Sequence, residues 1–205
     1  MKSVPWRAIA VIIIQVIATN NPAWSQPIHP PMETEPNKMG LFIGYGAPNL
    51  AFLNLNIEYD YHVLLIQGQM ERSLSSKKIV AVDLVIQPQI NTASFAEQSN
   101  SHSRRHNWEV GVGLGLLVRS NMKKRNWSPY LLASIGPHFI SSSLARQSKG
   151  FIFSDNVWIG FKWNVNYSLC MDVRLGFRHL SNAGIKQPNG GINSLQSGIG
   201  ILWGM

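Results

Sequence analysis

In several segments of the chain, apolar side chains alternate with glycine or polar residues at every second position. The alternation is clearest from Trp108 to Val118, where one set of positions is apolar throughout and the other holds Glu109, three glycines and Leu117. A period of two is the period of a β-strand, because successive side chains point to opposite faces. This segment therefore predicts a strand with one apolar face and one face of small or polar residues.

Eight segments of the chain show this alternation, and we expect each of them to form a strand. Their apolar stripes are consistent from one segment to the next, and no segment has a convincing helical periodicity. The predicted strands are residues 39–47, 52–67, 78–91, 107–118, 128–140, 150–163, 168–181 and 193–203.

Two environments suit strands of this kind. In a soluble barrel the apolar face forms the core, whereas in a small membrane barrel it faces lipid and small or polar residues fill the interior. Charged residues make up only 14% of the chain, which is low for a water-exposed surface and favours the membrane. We therefore predict an all-β fold, an eight-stranded antiparallel outer-membrane β-barrel. A soluble barrel of the lipocalin type, acting as a secreted lipid carrier, is the alternative.

The charged residues on the predicted inner faces have both signs, so they can pair inside the barrel and make a packed polar core. In the second strand this assignment places Tyr61, Val63 and Leu65 on the lipid side and His62 in the interior. The predicted inward charges are Glu58, Asp60, Asp83, Glu109 and Asp172 against Lys162, Arg174 and Arg178.

The chain begins with a segment typical of a secretory signal peptide. Two basic residues accompany an apolar run from Ala8 to Thr19, and a small-residue cleavage motif ends at Ser25. Export combined with a membrane barrel predicts the bacterial outer membrane as the location. The predicted organisation is a signal peptide at 1–25, a flexible periplasmic leader at 26–38 and the β-barrel domain at 39–205.

The lengths of the connections predict which end of the barrel faces outward. With both termini in the periplasm, the connections after the third, fifth and seventh strands are external. These are residues 92–106, 141–149 and 182–192, and all are long, as external loops of bacterial barrels are. The periplasmic connections include the short 164–167 and the longer 68–77. The seventh strand therefore ends at the external side.

The seventh strand ends in His179-Leu180-Ser181, a pattern that can carry nucleophilic chemistry. Residues two apart lie on one face of a strand, and the parity of His179 and Ser181 is that of the lipid-facing stripe. A neutral imidazole can accept the proton of a serine hydroxyl and so activate it toward an ester. Asn193 in the eighth strand has the same outward parity, and its amide oxygen can accept the other ring N–H. By spacing alone, such a pair is also typical of residues that solvate a strand end.

The longer string HLSNAGIKQPNGGIN, from His179 to Asn193, resembles the signature of the PagL family of lipid A 3-O-deacylases. The stretch around Phe153 and Asp155 is similar to that family more weakly. The resemblance implies that Ser181 is the nucleophile and His179 the base of a carboxylic ester hydrolase. The acid of the family is a glutamate twelve residues after the serine, and here that position holds Asn193. An uncharged group therefore stands where the resemblance implies a carboxylate.

The resemblance also implies which further groups contact the substrate. Asn182, Asn189 and Gly184 are the implied oxyanion or substrate residues, and no cofactor and no metal are implied. The implied partner is lipid A of lipopolysaccharide in the outer leaflet. Basic residues near the external edge are candidates for attracting its phosphates; they are Lys186, Lys149, Arg104 and Arg105.

The sequence also bears on other partners and functions. The positive charge is not clustered in the manner of a nucleic-acid-binding protein, so no nucleic acid is expected. The oligomeric state stays open, and a homodimer is compatible with the sequence. Because position 193 is Asn, the alternative function is a non-catalytic small outer-membrane barrel with a structural or lipid-binding role.

Overall fold

The apolar stripes of the sequence form a closed ring of eight antiparallel strands. The computed structural model describes residues 37–48, 59–77, 79–96, 104–120, 126–166 and 168–205. Each strand pairs with the next along the chain, and the last pairs with the first, which closes the barrel. The strands are β1 (Lys38–Ala47), β2 (Asp60–Ser76), β3 (Val80–Ala96), β4 (Arg105–Ser120), β5 (Trp127–Ile140), β6 (Gly150–Asn164), β7 (Leu169–Ser181) and β8 (Ile192–Gly204).

The predicted fold class, strand number and antiparallel order are confirmed. Among the described residues, no helix is long and apolar enough to cross a membrane. The predicted signal peptide and all but the last two residues of the predicted leader, 26–38, lie outside the described residues, and β1 begins at Lys38.

The strand bounds differ from the prediction mainly in β2 and β3. The predicted connection 68–77 is almost entirely strand, because β2 continues to Ser76 and β3 begins at Val80. The inward side chains of this part of β2 include Gln69 and Glu71, so its polar composition hid the alternation. The connection predicted as 92–106, which is expected to be external, is shorter because β3 extends to Ala96. The predicted strand residues 52–58 lie outside the described residues.

The facing predicted for β2 is wrong. Tyr61, Val63 and Leu65 are buried inside the barrel, whereas Leu64 and Ile66 are exposed on the outer wall. Residues 63–66 are apolar at all four positions, so alternation there does not decide which set faces inward.

The corrected facing also moves His62 and Asp60 to the outside of the wall. The His62 ring contacts the Tyr45 hydroxyl and lies 2.6 Å from the Asp60 carboxylate. Asp60 also binds Arg104 at 2.5 Å, so neither residue belongs to the lumen network. Glu58, the other acid assigned to the inner face of this segment, lies outside the described residues.

The remaining predicted inward charges face the lumen, where they form ion pairs and hydrogen bonds. Arg178 binds Glu109 at 2.7 Å, Lys162 binds Glu71 at 2.5 Å, and Arg119 binds Asp83 at 2.8 Å. Tyr130 donates to Asp172 at 2.7 Å, and the Arg174 guanidinium lies 3.8 Å from the centre of the Phe42 ring. Together with buried apolar side chains such as Leu117, Leu132 and Trp158, these groups fill the interior.

The outer wall is apolar over most of its height. Large side chains at alternate positions of the strands are at least a third exposed, which is unfavourable in water and suited to lipid. This belt contradicts the soluble-carrier alternative. It includes Leu41, Ile43, Trp108, Val110, Leu114, Ile135, Phe139, Ile159, Phe161, Trp163, Val173, Ile199 and Ile201.

Candidate active site

His179 and Ser181 lie on the outer wall at the C-terminal end of β7, the end that the sequence predicts to be external. Their neighbours Arg178 and Leu180 point into the barrel and are 1% exposed. His179 and Ser181 are half-buried on the opposite face, in the stripe that continues Leu175. The structure therefore gives the pair the outward placement that their parity predicts.

Three polar residues form a row across the outer wall at this level. In the register of β6 with β7, His179 lies directly opposite Asp155, and Ser181 lies opposite Phe153. In the register of β7 with β8, His179 lies directly opposite Asn193. Directly opposite residues of antiparallel strands share a face, so His179 has Asp155 on one side and Asn193 on the other.

The His179 ring is oriented by the Asn193 amide. Nδ1 of His179 lies 2.6 Å from Oδ1 of Asn193. An amide oxygen only accepts, so Nδ1 carries the proton and donates it in this hydrogen bond. In the neutral ring Nε2 is then unprotonated and available as a base. The predicted pairing of His179 with Asn193 is present in the structure.

Tyr59 fixes the backbone of Asn193. Its hydroxyl donates to the Asn193 carbonyl oxygen at 3.0 Å and accepts a hydrogen bond from the Asn193 N–H. Within the described residues the pairing of β1 with β8 ends at Ala47 and Leu195, and Tyr59 satisfies both backbone groups of Asn193. Burial raises the pKa of the Tyr59 hydroxyl, which keeps it protonated as a donor. The Arg146 guanidinium lies 5.3 Å from the centre of its ring.

Gly191 makes room for the imidazole. It has a φ of +68°, and a Cβ at this position would lie 2.6 Å from Cε1 of His179. Any side chain at position 191 would therefore be strained in its backbone and would collide with the ring. Neither Gly191 nor Tyr59 was predicted from the sequence as a site residue. The Gly190-Gly191 pair before Asn193 was the signal for the former, and no local signal pointed to the latter.

The loop between β7 and β8 is held against the loop between β5 and β6. Ser148 N–H donates to the Pro188 carbonyl at 2.9 Å, and Gly190 N–H donates to the Arg146 carbonyl at 2.6 Å. Gln147 and Asn189 form an antiparallel bridge between the two loops. These bonds hold the segment that follows Ser181 in one conformation.

The implied oxyanion residues build the turn after Ser181. The Asn182 side chain donates to Ser148 at 2.8 Å, and its oxygen accepts the Gly184 N–H at 3.0 Å. The Asn189 side-chain oxygen accepts the Asn182 N–H at 2.9 Å. Ala183 has a φ of 53°, rare for a residue with a side chain, and its amide has no hydrogen-bond partner within the described part of the chain.

The four basic residues expected at the external edge separate into two places. Lys149 and Lys186 are exposed on the two joined loops, where the Ser148 hydroxyl contacts the Lys186 carbonyl at 3.4 Å. Arg104 is bound to Asp60, and Arg105 lies over the Phe95 ring at 5.6 Å. Only the lysine pair therefore accompanies the row on β6, β7 and β8.

Comparison with known proteins identifies both a family and a fold. A family model described as lipid A 3-O-deacylase (PagL) matches residues 82–201, which include Asp155, His179, Ser181 and Asn193. A search of curated protein sequences finds no match.

Two solved barrels superimpose well on this chain. The outer membrane enzyme PagL gives a TM-score of 0.55 at 16% identity and covers 80% of this chain and 97% of its own. Neisserial surface protein A (NspA) gives a TM-score of 0.56 at 10% identity and covers 85% of this chain and 100% of its own. At these identities the superpositions establish the shared barrel fold.

Proposed function

This chain belongs to the PagL family of lipid A 3-O-deacylases and is an integral outer-membrane β-barrel. We propose that it hydrolyses an ester-linked acyl chain of lipid A, at the 3 position, with Ser181 as nucleophile. The observation that carries the proposal is the 2.6 Å hydrogen bond between His179 and Asn193. It leaves Nε2 of His179 as a base on the face that also holds Ser181, within the segment that the family model matches.

The proposed reaction has two stages that share one proton carrier. Nε2 of His179 takes the Ser181 proton as Oγ attacks the ester carbonyl, and a tetrahedral intermediate forms. The intermediate collapses, the sugar hydroxyl leaves with the proton from His179, and an acyl-serine remains. Water then attacks the acyl-serine with His179 again as base, and the fatty acid is released. Asn193 holds the ring in the required tautomer throughout.

The turn after Ser181 supplies the proposed oxyanion donor. The Ala183 amide is two residues from Ser181 and has no partner among the described residues. In this proposal Asn182, Gly184 and Asn189 hold the turn that presents this N–H to the developing negative charge. A fixed donor of this kind stabilises the intermediate without reorganising during the reaction.

The position of the site suits a substrate that stays in the membrane. The proposed nucleophile projects from the outer wall at the external end, where lipid A occupies the outer leaflet. An acyl ester can therefore meet Ser181 without leaving the bilayer. Lys149 and Lys186, exposed on the adjoining loops, would attract the lipid A phosphates.

The experiment that tests the proposal is mass spectrometry of lipid A from cells that produce the protein. We expect the wild type to remove one acyl chain and Ser181→Ala to remove none. Ser197→Ala is the matched control, because Ser197 is a half-buried serine on the outward face of β8 away from the row, and it should act as the wild type does. Unchanged lipid A in cells that hold folded wild-type protein would refute the proposal.

A second candidate function is a non-catalytic barrel, and the uncharged Asn193 favours it. An amide orients an imidazole but stabilises its charged form less than a carboxylate does. Asn193→Glu separates the two functions. Activity that arises only in this variant would indicate that the native chain has lost catalysis, whereas activity already present in the wild type would exclude the second function.

A further inference from the structure

A carboxylate occupies a position next to His179 that the sequence motif does not include. Asp155 is half-buried on the outward face of β6, directly opposite His179 in the strand register. The Cβ atoms of directly opposite residues in antiparallel strands are about 4.5–5.5 Å apart, which brings the two side chains into electrostatic contact.

Asp155 differs from three carboxylates of the lumen in the partners that its side chain has. Glu71, Asp83 and Glu109 each have a lysine or arginine nitrogen within 2.8 Å. Oδ1 of Asp155 is buried and has no hydrogen-bond partner within the described residues. Burying an unpaired carboxylate oxygen is costly, so such a group is stabilised when a positive charge develops beside it.

The proposed reaction creates such a charge. When Nε2 of His179 takes the Ser181 proton, the ring becomes an imidazolium, and its Nδ1 proton still points at Asn193. Asn193 is neutral and supplies orientation without a counter-charge. Of the two residues directly opposite His179 in the strand registers, Asp155 is the one with a carboxylate, and it lies on the other side of the ring.

We infer that Asp155 is a positioning residue of this site, which stabilises the imidazolium form of His179 from β6 while Asn193 fixes the ring from β8. In a serine triad one carboxylate both orients the imidazole and stabilises its charged form. Here these two roles are divided between Asn193 on β8 and Asp155 on β6. This inference rests on the proposed function, because the imidazolium arises only if His179 acts as the base for Ser181.

The test measures kcat and KM of the purified full-length protein in detergent with lipid A as substrate. We expect Asp155→Asn to lower kcat about 100-fold with little change in KM, because the lost interaction forms only as the charge develops. Asp155→Glu keeps the charge and should retain more activity than Asp155→Asn. Asp60→Asn is the matched control, since it removes another carboxylate from the external end, and it should keep wild-type kcat.

Rescue separates a charge effect from a structural one. Introducing Asn193→Glu into Asp155→Asn restores a carboxylate beside His179 from the other strand, so we expect kcat to recover at least tenfold. If the role of Asp155 were purely structural, a charge placed on β8 would not restore kcat. Heat-dependent gel mobility, which reports a folded barrel, is compared for every variant.

A second assay distinguishes failure of this inference from failure of the proposed substrate. A fluorophosphonate reacts with an activated serine without lipid A, and its rate of labelling Ser181 should fall in Asp155→Asn and recover in the double variant. If lipid A is untouched but labelling follows this pattern, the substrate proposal fails and the role of Asp155 stands. If Asp155→Asn is folded and keeps both rates, or if Ser181 of the wild type is not labelled, the inference is overturned.

Discussion

Two neighbouring residues at the end of β7, Arg178 and His179, occupy opposite faces of one wall and illustrate two uses of polar groups. Arg178 is buried in the lumen, where it binds Glu109 at 2.7 Å and the Ser154 hydroxyl at 2.9 Å. His179 faces outward and is held through one ring nitrogen by Asn193, and its other nitrogen has no hydrogen-bond partner among the described residues. The inner residue has a permanent counter-charge, whereas the outer residue is oriented but keeps its capacity to take up a proton.

The two faces of the wall show how a small barrel can separate residues that stabilise the fold from residues that carry out chemistry. A charge in the lumen is removed from water and must be paired within the protein. A group on the outer wall at the membrane surface can remain incompletely paired until substrate arrives. Substitutions on the inner face should therefore change the stability of the barrel, and substitutions on the outer face should change activity.

The largest expected effect is that of His179→Ala on the outer face. Without the base, the Ser181 hydroxyl is a poor nucleophile, and lipid A deacylation should fall by about 10⁴-fold or more. The urea midpoint of unfolding, followed by tryptophan fluorescence, should stay close to that of the wild type. A large loss of stability in this variant would contradict the assignment of stability to the inner face and activity to the outer face.

On the inner face, Arg178→Leu should lower the free energy of unfolding by about 3–5 kcal/mol, because Glu109 would remain buried without its partner. Urea unfolding in detergent measures the change. The double variant Glu109→Gln with Arg178→Leu removes the unpaired charge and should recover part of the loss. Equal stability of the single and double variants would show that Arg178 does not stabilise the barrel through its ion pair with Glu109.

A smaller loss of activity is expected for Gly191→Ala. The new Cβ would lie 2.6 Å from Cε1 of His179, and the residue would keep a φ of +68° only with strain. A displacement of the base by about 1 Å can cost about 100-fold in rate. Gly190→Ala is the control, because its Cβ would meet the flexible Arg146 side chain at 3.2 Å, and lipid A turnover of the two variants should differ clearly. Similar turnover in both variants would show that the imidazole does not need the space that Gly191 leaves.

The smallest expected effect is that of Tyr59→Phe. It removes the hydroxyl that binds both backbone groups of Asn193, so the orientation of His179 should loosen and kcat should fall by about tenfold. Tyr45→Phe removes a different outer-wall hydroxyl, which contacts His62, and should leave kcat unchanged. Equal kcat values for the two variants would show that the pairing of β7 with β8 orders Asn193 without help from the Tyr59 hydroxyl.

The sequence was sufficient for the fold where the alternation was unambiguous. In β4, β6 and β7 the apolar stripe predicted both the strand and its outward face, and with them the outward placement of His179 and Ser181. In β2 it failed, because residues 63–66 are apolar on both faces and the following inward residues are polar. Facing there was decided by packing against the other strands.

The amino-acid sequence was therefore enough to predict the set of strands, most of their two faces and the chemical groups of the segment from His179 to Asn193. Only the tertiary structure placed Asp155 opposite His179 and brought Tyr59 to Asn193, which is 134 residues away along the chain. The physical reason is that alternation is a property of a single strand. Which residues lie side by side depends on the register that the strands adopt when the barrel closes.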